Sequence, residues 1–484
     1  MKRAPIVTAV VSGWLVSGCA MLPRHAGFPT VATTIEQRTG LQLRQYPGAP
    51  SPEVAQTIHE LLQDDLTLDR ALQIAILNNR GLQATFDELG VARAEVVQVS
   101  LLKNPIFSGH ARVPREAGVT NLELALAQSV IDTLFLPLRR RIALAQFEQA
   151  TLRVTDEVLN LLSEVKTAYY AAQTAEQVHS LRQTTVDAAH TAAELATRQY
   201  AAGNIRDLDL ANEDAAFQQA QIELARSVAD QTAARERLNQ FLGLSGAEAS
   251  AWHAAAQPLE LPFADPSHEA LETLALTQRL DLAIIRQETV VLRRSLSIAH
   301  LKVVPDAAVA IDSERDPNGS RVTGPVWDAP IPIFDWGQAD QARLNAQLRQ
   351  GTHQLAAMEV AARAEVRTAY ERMVAQRQIA QRYRDQLIPL RQQIVASSLR
   401  HYNYMLLGAP QLLMAKQNEI TTEKEYLEAL RDYWITRAQL ERAVGGRLPA
   451  DEALPAPPAS APEPPISPSA PPAPHQEHHH GGPS

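Results

Sequence analysis

Three observations predict a mainly helical fold with a small β part, built as two tandem repeats of long coiled-coil helices plus a β-hairpin. The first is a scarcity of helix breakers. Leu138 to Ala202 is a run of 65 residues with neither Gly nor Pro, and Asn204 to Leu242 is a second run of 39. As one helix the first run would reach about 97 Å, far beyond the usual globular helix. The second observation is repetition at an offset of about 200. Leu101-Leu102-Lys103-Asn104-Pro105 matches Leu301-Lys302-Val303-Val304-Pro305, and Glu164–Tyr169 matches Glu365–Tyr370. Arg198-Gln199-Tyr200 matches Arg400-His401-Tyr402, and Leu238 and Gly243 match Leu440 and Gly445. One conserved order of matches over most of a chain is the signature of a duplicated unit. The third observation is a change of period, from helical to two, between the helices of each repeat.

The chain divides accordingly. Residues 1–18 read as a signal peptide, 19–65 as an anchor and extended segment, 66–257 as repeat 1, 258–448 as repeat 2 and 449–484 as a disordered tail. Apolar positions such as Leu152, Leu159, Leu162, Tyr169 and Ala172 recur at heptad-like spacing. Many are alanines, which predicts close coiled-coil packing rather than a thick globular core. In the first return, residues 204–242 rise from the tip, and roughly 268–304 are expected to continue upward from them, matching the long descending helix in height.

Strands are expected at about 105–131 and 305–334. Phe107, Gly109, Ala111 and Val113 alternate with Ser108, His110 and Arg112, and Leu122, Leu124 and Leu126 alternate with Asn121, Glu123, Ala125 and Ala127. In repeat 2, Ala307, Val309 and Ile311 alternate with Ala308, Ala310 and Asp312, while Trp327, Ala329, Ile331 and Ile333 mark one face of the last strand. Pro325, Pro330 and Pro332 make part of that strand irregular. A transmembrane strand needs about 9–11 such residues, but a soluble hairpin shows the same dyad. Four strands cannot close a barrel, and open edges do not survive in lipid. If these strands span a membrane, several copies share one barrel, and three protomers supply twelve strands.

At the N-terminus, Lys2 and Arg3 precede an apolar stretch from Ala4 to Val16, then Val16-Ser17-Gly18-Cys19. The stretch is too short to span a bilayer. The motif resembles the bacterial lipobox, with cleavage before Cys19 and a lipid on its thiol, and Cys19 is the single cysteine of the chain. Ala20 after it is compatible with outer-membrane sorting. No cofactor is expected beyond that covalent lipid. A lone cysteine also excludes an intramolecular disulfide and a thiolate zinc cage. Net charge is −9 and pI about 5.9, which argues against a nucleic-acid partner. No phosphate loop, HExxH or nucleophile elbow is present, so no enzyme is expected.

The tail holds twelve of the 31 prolines and ends in His475-Gln476-Glu477-His478-His479-His480. His475, His478, His479 and His480 suit zinc, copper, cobalt or nickel, and a solvated biased tail without function gives the same composition.

Together these features resemble the TolC-like outer-membrane efflux family, lipoprotein type, over roughly Leu66 to Gly446. The specific stretches are Ile331-Pro-Ile-Phe-Asp335-Trp-Gly337-Gln338 after the strands and Leu427 to Gly446 at the close. Val130-Ile-Asp132 through Pro137 to Arg141 is similar to the CzcC and CusC heavy-metal branch. The resemblance implies a homotrimer with a 12-stranded barrel in the outer membrane and a long periplasmic α-barrel. It also implies docking to a periplasmic adaptor and an inner-membrane pump of the resistance-nodulation-division type, with heavy-metal cations as preferred cargo. Drugs or other small organics are the alternative cargo. A periplasmic adaptor or a metal-buffering lipoprotein are the rivals of another class, and neither accounts for two hairpins and four symmetric strands. The resemblance places gate and adaptor contacts at the two helical tips, near Gly203 and Gly408. Asp207 and Asp209 follow the first tip and would form carboxylate rings in a trimer, or serve as first-turn helix acids. Tyr404, Leu406 and their neighbours make the second tip apolar, as a hydrophobic gate, an adaptor contact or ordinary hairpin packing.

Overall fold

Residues 27–45, 52–113, 115, 120–255, 260–262, 267–301, 307–316 and 318–448 are described by a computed structural model of the chain. The segment read as extended carries two helices, α1 (Phe28–Thr39) and α2 (Pro52–Leu61). Val31 and Ile35, and Val54 and Ile58, stand four residues apart and bury one face of each. Helices α3 (Leu68–Asn78) and α4 (Arg80–Ser100) lead to strands β1 (Ile106–Arg112) and β2 (Asn121–Ser129). Helix α5 (Val130–Ala201) descends over 72 residues and α6 (Asp207–Leu242) returns. After the short α7 (Ala247–Ala251), the second repeat runs α8 (His268–Gln278), α9 (Leu280–Leu301), β3 (Ala308–Arg315) and β4 (Arg321–Asp328). It closes with α10 (Gln338–Arg382), a π-helical turn at Tyr383–Leu387, α11 (Ile388–Asn403) and α12 (Ala409–Val444).

Helix α5 begins eight residues before the breaker-free run and carries Pro137 inside it. The proline removes one ladder bond. Nearby polar groups are held by Arg139, which donates to the Asp132 carbonyl at 2.7 Å and pairs with its carboxylate at 3.2 Å. The Ser129 hydroxyl accepts from the Asp132 amide and caps the start.

The upward continuation departs from expectation. Residues 268–301 are two helices broken at Arg279, whose backbone is extended, and Asn79 breaks the first repeat in the same way. Neither Asn79 nor Arg279 is itself a glycine or proline, although Gly81 follows the first break by two residues. The end of the return helix causes each one. Gly243 caps α6 in the left-handed region, and Asn78 donates to the Leu242 and Gly243 carbonyls at 3.0 and 2.8 Å. Asn79 donates to Phe241 at 2.8 Å and accepts from the Leu82 amide, starting α4. In repeat 2, Gly445 plays the part of Gly243, and Arg38 joins the two ends by donating to Gln278 and Gly445 carbonyls at 2.8 and 2.7 Å. So α6 ends against the α3–α4 break of its own repeat, and α12 ends against the α8–α9 break.

Packing follows the coiled-coil expectation only along the shafts. Residues 154–172 of α5 are girdled by a thicker core that includes Ile35, Leu66, Phe86, Leu238 and Trp252. Tyr169 and Ala172 lie in it, and the Tyr169 hydroxyl donates to the Leu66 carbonyl at 2.9 Å. Buried Trp252 donates to Asn239 at 2.8 Å.

The π-helical turn resolves a detail of the repeat. The offset is 201 at Tyr169 and Tyr370 but 202 at Tyr200 and Tyr402. One residue is therefore extra between them, and the π turn absorbs one extra residue without rotating the helix beyond it. Deleting Asp385, whose side chain bonds only its neighbour Arg384, is expected to leave folding near native. The same deletion at Gln376 would turn everything beyond it by about 100°. Circular dichroism and protease resistance of the two deletions check this.

Candidate functional site: an uncovered sheet and two hairpin tips

The four strands form one antiparallel sheet in the order β1-β2-β3-β4. Its register sorts the side chains into two unlike faces. Phe107 stands opposite Leu126, Leu126 opposite Ile311, and Ile311 opposite Pro325. Val309 and Trp327 pair one row nearer the helices. This face is uncovered: Phe107 is 70%, Leu126 50%, Ile311 61% and Trp327 82% exposed. The other face carries Ser108, His110, Glu123, Ala125, Asp312 and Glu314 by alternation. Its polar groups meet one another, with Arg112 to Glu123 at 3.4 Å and Asn121 to Glu314 at 2.7 Å. The last strand ends at Asp328, short of the expected 334, because Pro330 and Pro332 supply no ladder donors. Ile331, Ile333 and Phe334 continue the exposed apolar surface without strand pairing. Pro325 is tolerated within β4 because β4 is an edge.

The two tips lie at the far ends of the long hairpins. At the first, Gly203 takes φ +75°, with its amide bonded to the Tyr200 carbonyl and that of Asn204 to the Gln199 carbonyl, both at 2.9 Å. At the second, the residue in that role is Met405, at φ +59°, with Met405 bonded to Tyr402 and Leu406 to His401 at the same 2.9 Å. Gly408, near which the second tip was expected, precedes α12 as its N-cap, the place Arg206 holds in repeat 1. Met405 is 93% exposed between exposed Tyr404 and Leu406. A non-glycine residue in the left-handed region costs about 1–2 kcal/mol. Met405→Gly is expected to recover about 1 kcal/mol locally, read as slower amide exchange at the ends of α11 and α12.

Asp207 and Asp209 are the first and third residues of α6. Asp209 accepts from the Arg206 amide at 3.3 Å and from its guanidinium at 3.1 Å on both oxygens. The Arg206 side chain holds that carboxyl below its ordinary range. Asp209 is thus a neutralised cap, while Asp207 accepts only from the adjacent Leu208 amide. The arginine at 206 was the missed residue, since its role appears only with the turn.

Residues 71–244 match the family described as outer membrane efflux protein. Over that stretch the chain is similar to outer membrane efflux proteins. The cobalt-zinc-cadmium resistance protein CzcC of Cupriavidus metallidurans is 26% identical over 292 residues, 59% of this chain and 66%, just under two thirds, of that one. The Campylobacter jejuni CmeC outer membrane channel superposes with a TM-score of 0.68 at 14% identity, covering 84% of this chain and 94% of its own. CusC, whose crystal structures concern conformational changes accompanying folding and transmembrane channel formation, gives a TM-score of 0.65 at 16% identity, covering 85% of this chain and 98% of its own. These likenesses establish the efflux-protein fold.

Within that fold a cavity of about 1240 Å³ opens where α1, α5, α10 and α12 meet, lined by Arg38, Asp156, Arg279, Asp281, Glu365 and Arg442. Most charges there satisfy one another: Arg279 pairs with Asp281 and Glu365, and Lys166 with Glu441. Among the described residues Asp156 has no ion pair and accepts a long bond from Asn160 at 3.4 Å. Burial raises its carboxyl above the ordinary range, and Asp281 adds to the rise. A carboxyl raised on folding favours the folded state below its unfolded value, and that margin is lost as pH rises through the folded value. Asp156→Asn is therefore expected to raise the thermal midpoint at neutral pH and leave it unchanged near pH ~3, by calorimetry at both.

Cys19 and the tail histidines His475, His478, His479 and His480 lie outside the described residues. Among the described residues no group of three or more His, Cys, Asp or Glu is placed to hold a metal ion, and no helix is long and apolar enough to cross a membrane.

Proposed function

We propose that this chain is the outer-membrane exit duct of a tripartite efflux system. It passively conducts heavy-metal cations delivered by an inner-membrane pump and a periplasmic adaptor. The observation that supports this most is the sheet. An apolar face in continuous register, left uncovered, with a polar face behind it, fits lipid outside and water inside. Two unpaired edges need further copies to close, since edges are not tolerated in hydrocarbon. Three copies give twelve strands on a ring of long helices. Helix α5, at about 108 Å, supplies the periplasmic length. The tips differ, one carrying Arg206, Asp207 and Asp209 and the other Tyr404, Met405 and Leu406, so the adaptor meets alternating charged and apolar knuckles. Lipid on Cys19 would anchor the N-terminus of each protomer. The similarity to CzcC favours metal cargo over organics.

Two measurements test the reading. Purified protein in a planar bilayer should conduct in steps and migrate as a trimer. A deletion strain should lose tolerance to cobalt, zinc or cadmium and regain it with the full chain. A monomer without conductance would sink the duct. Sensitivity to dyes and detergents with unchanged metal tolerance would instead assign organic cargo.

A further inference from the structure

On β3 and β4 the apolar face ends abruptly at the edge away from the helices, while Ala111 and Leu122 keep the same row apolar on β1 and β2. Beyond the row of Gly109, Leu124, Ser313 and Thr323 comes the row of Ala111, Leu122, Arg315 and Arg321. Arg315 and Arg321 are direct cross-strand partners, so two guanidiniums stand side by side on the apolar face. Both are exposed. Like charges directly opposite each other repel, and the neighbouring acids do not relieve them. Glu314 is on the polar face, bonded to Asn121 at 2.7 Å, and Asp316 is bonded to Ser320 at 3.0 Å. Among the described residues neither arginine has an ion-pair partner.

Height fixes what lies beside them. The pair is four residues beyond Ile311 and Pro325, about 14 Å along the strands and about 10 Å in height at the tilt of a membrane barrel. An arginine on the lipid face is costly at the bilayer centre, and the cost nearly vanishes at the interface. This row therefore marks the outer limit of the hydrocarbon, where lipid phosphates begin. Each guanidinium presents a planar fork that matches a phosphate with two parallel hydrogen bonds. Two forks suit a dianionic phosphate monoester better than a singly charged diester.

We propose that Arg315 and Arg321 form a clamp for a phosphate-monoester-bearing lipid of the outer leaflet, one clamp per protomer. The inference rests on the outer-membrane reading above. In an occupied clamp the anion replaces mutual repulsion by charge-assisted bonds and tethers the β3–β4 turn to the lipid.

The test uses the full-length protein in detergent micelles, by native mass spectrometry, with diphosphorylated lipid A and its dephosphorylated form as probes. The wild type should retain the phosphorylated lipid selectively. R315Q/R321Q should lower retention by about tenfold or more, and R315K/R321K, which keeps charge but not the fork, should fall between. Equal retention by the glutamine variant overturns the clamp. Complete displacement of the lipid by inorganic phosphate also overturns it, in favour of a free-anion site. Insertion and conductance in liposomes are measured on the same preparations. Equal retention with normal conductance defeats the clamp alone, whereas a wild type that neither inserts nor conducts defeats the membrane reading itself.

Discussion

Arginine in place of Ile311 is expected to abolish outer-membrane assembly, whereas arginine in place of Ala125 leaves it intact. The two positions sit in neighbouring rows on adjacent strands, but they face opposite ways. Ile311 lies between Leu126 and Pro325 on the uncovered apolar face. A guanidinium there costs about 2–4 kcal/mol at the bilayer midplane. Three copies per barrel bring this to roughly 6–12 kcal/mol, the scale of a whole domain's stability. Ala125 stands opposite Asp312 on the polar face. A guanidinium there meets a carboxylate in water, with a gain of about 0.2–1 kcal/mol. Membrane fractionation and the gel migration of unheated samples measure assembly. If both variants assemble alike, the face bearing Ile311 does not meet lipid.

Gly243→Ala is the second large effect. Gly243 has φ +68°, and an added Cβ would stand 2.6 Å from the Asn78 carbonyl oxygen and 3.1 Å from its carbon. Both are backbone atoms of the break that redirects α3 into α4, so neither swings aside. The left-handed conformation costs about 1–2 kcal/mol and the overlap about 1–3 kcal/mol, roughly 2–5 kcal/mol together. Gly40→Ala is the matched control. Its φ is +76°, yet nothing lies within 4 Å of the new Cβ. Only the backbone term of about 1–2 kcal/mol applies there. Denaturant unfolding of the two variants separates the terms, and equal losses would mean that the contact with Asn78 yields freely.

Several features were legible because their causes are local. The 3.6 and 2 periods announced the long helices and the two-faced sheet, and the prolines of the last strand announced irregularity in it, though not its end at Asp328. The breaks at Asn79 and Arg279 were not legible. Each is made by a helix end arriving from about 160 residues away in sequence, and neither residue is a breaker by itself. The turn residue of the second tip was not legible for a related reason. Gly408 is the only glycine near that turn, yet the hydrogen bonds place Met405 in the left-handed position. The shift in repeat offset from 201 to 202 did carry the π-helical turn, but only the backbone shows where the extra residue sits.

By itself, then, the sequence determined the class of each element, the duplication and the polarity of each strand face. Those follow from side-chain spacing along a few turns or a few pleats. Tertiary structure decided which helix continues which, where the core thickens into a belt, and that Arg315 and Arg321 are neighbours. Each of these depends on register between segments distant in sequence or on the closing of a turn. The physical reason is that periodicity fixes which way a side chain faces, while its partner is fixed only when a second backbone arrives beside it.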